Sequence, residues 1–162
     1  MAHHLRPLFL RPPVPSTAVR LSLVLGLVMA LVVSVVAVAG LAAQAPSRTV
    51  WDGVYTEAQA ARGATVYAAQ CAGCHLQTLA GSEAAPALVG DQFNATWENG
   101  SIADLFERIR VSMPVDRPGS LSRRQTADIV AYMLSVGRFP SGAAPLDTQS
   151  ELLQIRYLSS RP

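Results

Sequence analysis

The chain has 162 residues, a length that suits one folded domain with an appended segment, and 50% of the residues are hydrophobic. All thirteen basic residues are arginine, and three of them precede residue 21. From residue 46 onward, ten arginines stand against eleven acidic residues, which gives this part a formal charge of −1. Such a near-neutral balance gives no support for nucleic-acid binding or for strong electrostatic steering.

The N-terminal part of the chain contains a long apolar segment. Residues 1–20 form a leader with proline and arginine, and residues 21–43 follow as an uncharged run of 23 residues. A helix that spans a membrane needs about 20 apolar residues, whereas the core of a signal peptide has about 7–15. The length favours a retained transmembrane anchor. A cleaved signal segment stays open as the alternative, because Ala43-Gln44-Ala45 is a small-x-small sequence that suits a signal peptidase.

Arginines on either side of residues 21–43 predict the orientation of that segment. Three precede it and only Arg48 follows it closely, so the N-terminus should stay in the cytoplasm. Everything after Ala45 is then exported. We expect the protein to be anchored on the periplasmic side of the bacterial cytoplasmic membrane, or to be soluble in the periplasm after cleavage near Ala45.

The rest of the chain divides into a linker over residues 44–56, a helical domain over residues 57–140 and an extension over residues 141–162. Thr56 and Gln59 predict a capping box at the start of a first helix that ends near Gln70. After His75 the chain lacks periodicity up to Ser101.

Two later segments also have helical spacing. Ser101 caps a helix that ends near Val111, and Ser122 opens another that ends near Val136, before the stop signal of Gly137. In the extension, the stretch from Ser150 to Leu158 is a candidate for a short amphipathic helix.

Cys71-Ala72-Gly73-Cys74-His75 is the motif with the clearest chemistry. Cys-x-x-Cys-His is the attachment signal of a c-type haem. Two thiols three positions apart can each bond one vinyl edge of the same porphyrin, and the adjacent histidine can ligate the iron. The motif therefore predicts one covalently bound haem c.

Other uses of this motif agree less well with the chain. A thioredoxin-like redox pair expects a βαβ context, which the sequence does not offer. A structural zinc site needs four ligands, yet Cys71 and Cys74 are the only cysteines, and His3 and His4 are far away in sequence. A disulfide between the two cysteines would close a very small loop and stabilise little.

The second axial ligand of such a haem must be sought among the methionines, because no histidine follows His75. Met1 and Met29 belong to the leader and the apolar segment, and Met133 lies mid-helix on an apolar face, where core packing is expected. Met113 stands at a helix exit immediately before Pro114, in a loop that could cover the opposite face of the haem. A thioether ligand favours ferrous iron and raises the reduction potential, which suits a one-electron carrier.

These residues together resemble class I (mono-haem) cytochrome c over roughly residues 62–136. Besides the haem motif and the Met113-Pro114 pair, the resemblance rests on Gly63 and Tyr67 in the first helix, Pro86 in the following loop and Tyr132 in the last helix. It implies an all-α, cytochrome c-like fold of three main helices around the haem, here preceded by the N-terminal hydrophobic helix.

The resemblance also implies roles for individual residues. Gly63 and Tyr67 would cross the last helix at Tyr132, and the backbone carbonyl of Pro86 would hold the ring of His75 and tune its basicity. The sequence around residues 51–55 and 117–122 is similar to that of exported bacterial cytochrome subunits that accompany dehydrogenases or oxidases. No ring of lysines is present, which speaks against lysine-mediated docking onto an acidic partner.

The sequence thus predicts an electron-transfer protein and not an enzyme. It would pass single electrons between exported or membrane redox partners such as a dehydrogenase, an oxidase or another cytochrome, with no small-molecule substrate and no nucleic acid. Two alternatives stay open: a permanent cytochrome subunit of a dehydrogenase or oxidase complex, and a haem enzyme or gas sensor with an open sixth site.

Overall fold

A computed structural model of the protein describes residues 48–162. Six α-helices and two short strands lie within this range: β1 Arg48–Thr49, α1 Glu57–Gln70, α2 Ala72–His75, α3 Asp91–Trp97, α4 Ile102–Ser112, α5 Arg123–Val136, α6 Gln149–Gln154 and β2 Ile155–Arg156. The predicted all-α class is confirmed. The three main helices predicted from the sequence are α1, α4 and α5, and their bounds agree with the expected ones to within one residue.

Side-chain caps explain where the main helices begin. The hydroxyl of Ser101 accepts a hydrogen bond from the backbone N–H of Asp104, whose carboxylate in turn accepts from the Ser101 backbone. Ser122 and Gln125 form the same reciprocal capping box at the start of α5. Each box satisfies two N–H groups that a helix start would otherwise leave without a partner.

The capping box predicted for α1 is only half formed. Thr56 accepts from the backbone N–H of Gln59 at 3.2 Å, but the side chain of Gln59 does not return to Thr56. Its amide instead donates to the carbonyl of Leu146 and accepts from the Leu146 N–H, both at 2.9 Å. Gln59 is buried, so these two bonds satisfy its amide and fix the C-terminal extension to α1.

Helices α1 and α5 cross in direct contact. A Cβ placed on Gly63 would lie 1.8 Å from the backbone oxygen of Asp128 and 2.9 Å from the Cβ of Tyr132. Only glycine allows this approach. Beside the crossing, the guanidinium of Arg62 donates to both carboxylate oxygens of Asp128, at 2.8 and 3.0 Å, which holds the two helices together.

The stretch predicted as a linker, residues 44–56, is part of the folded domain from Arg48 onward. Val50, Val54 and Tyr55 are buried, and the Tyr55 hydroxyl donates to the carbonyl of Phe139 at 2.7 Å. The expectation of a linker fails there because apolar side chains in an irregular stretch carry no periodicity to reveal that they are buried.

The C-terminal extension also packs onto the domain. Strand β2 pairs in parallel with β1, with Arg48 opposite Ile155 and Thr49 opposite Arg156. The helix predicted from Ser150 to Leu158 is therefore wrong in its second half. Helix α6 ends at Gln154, and Ile155 and Arg156 form β2. The indole N–H of Trp51 donates to the carbonyl of Leu158 at 2.9 Å, which also links the stretch after β1 to the extension.

Helix α3 is a helix that the sequence analysis does not predict. It has 7 residues and follows Gly90, whose φ of +84° suits glycine.

Among residues 48–162, no helix is both long and apolar enough to cross a membrane. The predicted leader and the apolar segment over residues 21–43 lie outside the described residues.

Candidate functional site

The Cys-x-x-Cys-His motif forms one tight turn at the end of α1. The N–H of Cys71 donates to the carbonyl of Tyr67, and the N–H groups of Cys74 and His75 both donate to the carbonyl of Cys71, at 3.1 and 3.0 Å. The turn ends at Leu76, whose φ is +62°. Both thiols and the imidazole are therefore presented from one rigid piece of backbone, and all three residues line the same cavity.

The two cysteines of the turn differ in environment. Cys74 is exposed and Cys71 is half-buried. Burial raises the pKa of the Cys71 thiol to about 11. Cys71 is therefore the better shielded of the two sulfurs on the cavity wall.

His75 is buried and held by the chain that follows it. Its Nδ1 lies 2.8 Å from the backbone oxygen of Pro86. A carbonyl oxygen can only accept, so Nδ1 carries the proton and Nε2 is left with its lone pair for a metal. A hydrogen bond of this kind fixes the ring orientation and raises ligand basicity.

The loop between His75 and Pro86 is fixed by backbone hydrogen bonds. Gly81 donates to the carbonyl of His75 at 3.1 Å, and the hydroxyl of Ser82 donates to the carbonyl of Cys74 at 2.8 Å. Gly81 has φ +75°, and a Cβ there would lie 2.4 Å from the N of Ala87. The loop therefore folds back closely enough to bring Pro86 onto the ring of His75.

Met113 lies on a different element from the haem motif. It follows the last residue of α4 in extended conformation, and its N–H still donates to the carbonyl of Ile109 at 2.9 Å. Its half-buried side chain lines the same cavity as His75. Met133 of α5 lines this cavity as well and is 3% exposed, so two methionines reach the site.

The cavity itself has a volume of about 550 Å³. Its walls are mainly apolar side chains from three helices: Phe93 and Trp97 of α3, Leu105 and Ile109 of α4, and Ile129 and Met133 of α5. Cavities that bind organic cofactors have this size and apolar character. Two thiols, an imidazole nitrogen and a thioether on such walls fit the attachment and ligation of a haem c.

Tyr67 and Tyr132 meet beside this cavity at the α1–α5 crossing. Their ring centroids lie 5.3 Å apart, and the hydroxyl of Tyr67 donates to the carbonyl of Leu76 at 2.8 Å. Burial raises the pKa of Tyr67 well above its ordinary value, so the phenol stays protonated and keeps donating. Together with Gly63, this pair ties the helix crossing to the residue that follows His75.

Phe93 and Trp97 are wall residues that the sequence analysis does not single out. They lie four residues apart on α3, and their ring centroids are 6.1 Å apart. That spacing places two aromatic side chains on one helix face, and it is the sequence signal from which these wall residues could have been found. Because α3 has only two turns, the pattern is too short to distinguish it from a loop.

Comparison with known proteins finds one family model that is similar to this segment. Residues 58–133 match the family model described as cytochrome c oxidase, cbb3-type, subunit III. No curated protein matches the chain significantly. The crystal structure of the sulfane dehydrogenase SoxCD from Paracoccus pantotrophus is similar with a TM-score of 0.46 and 20% identity, over 65% of this chain and 61% of that one.

Proposed function

We propose that the chain is a mono-haem c-type cytochrome, an electron-transfer protein with one covalently bound haem c, and that its haem iron is held by His75 and Met113. When bound, the haem supplies a one-electron couple between ferric and ferrous iron. The protein's own residues attach it, orient it and exclude water from it.

In this proposal the turn at residues 71–75 holds the haem on one side. Cys71 and Cys74 attach it through thioether bonds, and Nε2 of His75 ligates the iron. Pro86 contributes through its backbone oxygen, which keeps the imidazole in one orientation at 2.8 Å from Nδ1. A ligand fixed in this way needs little rearrangement when the iron changes oxidation state.

On the other side, Met113 is the proposed sixth ligand. Met113 leaves α4 in extended conformation in a segment that also borders the cavity with Pro114 and Val115, whereas Met133 is packed within a helix. The observation that carries the proposal is that both cysteines, His75 with its Pro86 bond, and Met113 line one cavity although they come from separate elements.

Replacement of Met113 by alanine tests this assignment. We expect a lower reduction potential, by roughly 0.1 V or more within the ~0.8 V range that axial ligands span. We also expect a shift toward a high-spin spectrum and carbon monoxide binding by the reduced protein. Met133→Leu is the matched control, since it keeps the volume and should keep the wild-type spectrum.

Each alternative outcome of that experiment identifies a different site. If Met113→Ala keeps the wild-type spectrum while Met133→Leu loses it, Met133 is the ligand. If the wild-type protein itself binds carbon monoxide readily and is high-spin, the sixth site is open, and the protein is a haem enzyme or sensor.

We propose further that residues 21–43 anchor the domain on the periplasmic side of the cytoplasmic membrane. The uncharged run of 23 residues, the arginines before it and the export that c-type haem attachment requires support this. An anchor would keep the carrier close to its redox enzymes and raise their effective concentration. Fractionation of native cells followed by N-terminal sequencing tests it: a soluble protein that begins after Ala45 would contradict the anchor.

The partners we propose are a dehydrogenase, an oxidase or another cytochrome. The matched family model is described as an oxidase subunit, and this favours permanent assembly with an oxidase as a second candidate. Residues 146, 152, 155 and 157 of the extension are buried against the domain itself, so they are not available to a partner. Co-purification of an oxidase after detergent extraction would support assembly, whereas isolation of the cytochrome alone would support a free carrier.

A further inference from the structure

Residues 113–121, which lead from α4 towards α5, are called the Met113 loop. Pro114 lines the cavity beside Met113. Two turns follow within the loop: the N–H of Arg117 donates to the carbonyl of Pro114 at 3.0 Å, and the N–H of Ser120 donates to the carbonyl of Arg117 at 3.2 Å. The proposed iron ligand therefore lies at the start of a segment that is made of turns.

Few contacts hold the middle of the Met113 loop in place. Pro114 and Leu121 are buried near its two ends, whereas residues 115–120 are all exposed. Among the described residues, a single hydrogen bond joins the part of the loop after Met113 to another part of the fold, and it runs from Arg117 to Gln70. Segments with exposed side chains and few such bonds open at a low cost in free energy. One bond can therefore decide how often this loop is closed.

The bond between Arg117 and Gln70 connects the loop to the turn that carries the haem motif. A guanidinium N–H of Arg117 donates to the side-chain oxygen of Gln70 at 2.9 Å. Gln70 is the last residue of α1, directly before Cys71, and both residues line the cavity. The bond thus joins the wall that would carry the haem to the loop that would carry the sixth ligand.

We infer that Arg117 and Gln70 form a latch that keeps Met113 positioned on the iron. The inference rests on the proposed ligation by His75 and Met113. While the bond is made, the loop stays against the end of α1 and the thioether stays on the cavity side. When the bond is broken, the loop can move outward, and a small external ligand can take the sixth position. Arg117 is a positioning residue, because it acts on the iron only through Met113.

Imidazole binding to the ferric holoprotein, followed by its absorption spectrum, measures how often Met113 is released. Added imidazole competes with Met113, so its apparent affinity is proportional to the fraction of protein whose sixth position is free. The sequence has no lysine, and His75 is the only histidine among residues 48–162, so no other amine or imidazole side chain of the domain competes.

Arg117→Leu and Gln70→Leu each remove one partner of the latch. We expect each variant to raise the imidazole affinity about two- to tenfold, which corresponds to the loss of one hydrogen bond. Arg124→Leu is the matched control, because it makes the same change at an exposed arginine that is off the cavity wall. In the described part of the chain, Arg124 has no side-chain hydrogen bond and no ion pair, so its replacement should leave the affinity unchanged.

Two further variants show whether Arg117 and Gln70 act through each other. The double variant Arg117→Leu/Gln70→Leu should bind imidazole no more tightly than either single variant, because both remove the same bond. Gln70→Glu keeps an oxygen at the same place and makes the bond charge-assisted. It should therefore lower the imidazole affinity below that of the wild type, and it should have no such effect when Arg117 is replaced by leucine.

Three results would overturn the inference. They are equal affinities of Arg117→Leu and Arg124→Leu, additive increases in the double variant, and a Gln70→Glu variant that binds imidazole as tightly as Gln70→Leu does.

Met113→Ala separates a failure of the latch from a failure of the proposed ligand. If the wild type binds imidazole as tightly as Met113→Ala does, Met113 is not the ligand and the latch falls with it. If the wild type binds much more weakly than Met113→Ala, and the latch variants match the wild type, Met113 remains the ligand and only the latch is wrong.

Discussion

The two sides of helix α5 are stabilised in different ways. Asp128 and Tyr132, four residues apart, face α1, and the backbone of Asp128 is so close to Gly63 that no side chain fits between them. Ile129 and Met133, one residue further on in each case, line the cavity of about 550 Å³. Neighbouring residues of one helix thus serve two purposes: some form a contact made by protein alone, and others form the wall of the proposed haem site.

The α1–α5 crossing is thus stabilised by the polypeptide, whereas the cavity side of α5 would be stabilised by the proposed haem. At the crossing, close packing, a tilted tyrosine pair and the bidentate contact of Arg62 with Asp128 fix α1 against α5. Around the cavity, the apolar walls do not face one another, so the proposed haem would supply the core there. We therefore expect the cavity side to depend on haem retention and the crossing to depend on side-chain volume.

Loss of the haem should have the largest effect. In the double variant Cys71→Ala/Cys74→Ala the thioether bonds are absent, so the haem becomes extractable by acid and organic solvent. Without the haem, the apolar walls of a cavity of about 550 Å³ are exposed to water, and the domain loses the stabilisation from burying that surface. An ordinary domain is stable by only about 5–15 kcal/mol, so such a loss is severe. The extracted chain should lose its cooperative thermal unfolding transition.

The control for this variant is the wild-type protein taken through the same extraction, which should retain its haem and its unfolding transition. Circular dichroism in the far and near ultraviolet follows both proteins. A haem-free double variant that unfolds at the wild-type temperature would show that the cavity walls do not depend on the haem.

Gly63→Ala should have the next largest effect. The added methyl group would lie 1.8 Å from a backbone oxygen and 2.5 Å from a backbone carbon of Asp128, and neither can turn away as a side chain would. The helices must separate, at a cost of about 3 kcal/mol, the upper end of the range for overpacked cores. Urea denaturation measures this loss.

Gly73→Ala is the matched control because it makes the same change within the haem motif. A Cβ at Gly73 has no neighbour within 4 Å, so the free energy of unfolding should change by less than about 0.5 kcal/mol. Equal losses in the two variants would mean that the intrinsic effect of alanine, and not the crossing, decides the stability at residue 63.

Much of the fold and the site could be predicted because their signals are local. Ser101 and Ser122 mark helix starts through contacts three residues away, and their capping boxes form as expected. The haem motif is a five-residue pattern with its chemistry in the spacing. The all-α class and the haem c follow from these short-range features.

What could not be predicted depends on contacts that are distant in sequence. Gln59 was expected to cap its own helix, yet its side-chain amide binds the backbone of Leu146. Either arrangement would give the amide of Gln59 hydrogen-bond partners, so the sequence does not distinguish them. The pairing of β1 with β2 joins residues more than 100 positions apart through two residues of each strand. Arg108 has the sequence character of a surface residue, and only the fold places it on the cavity wall.

The smallest expected effect distinguishes charge from packing at the crossing. Asp128 is buried, whereas the side chain of Arg62 is 43% exposed. Arg62→Gln therefore leaves a buried carboxylate without its cation, which is costly. Asp128→Asn leaves an arginine that can turn into water, so we expect it to lower the urea midpoint less than Arg62→Gln does, and both less than Gly63→Ala.

Glu107→Gln is the control, because it disrupts two more exposed ion pairs, with Arg110 and Arg123, whose contribution should be too small to measure. If Asp128→Asn were the more damaging variant, the carboxylate would matter for its hydrogen bonds to Arg62 and not for the cost of burying its charge. The crossing would then depend on bond geometry as well as on close packing at Gly63.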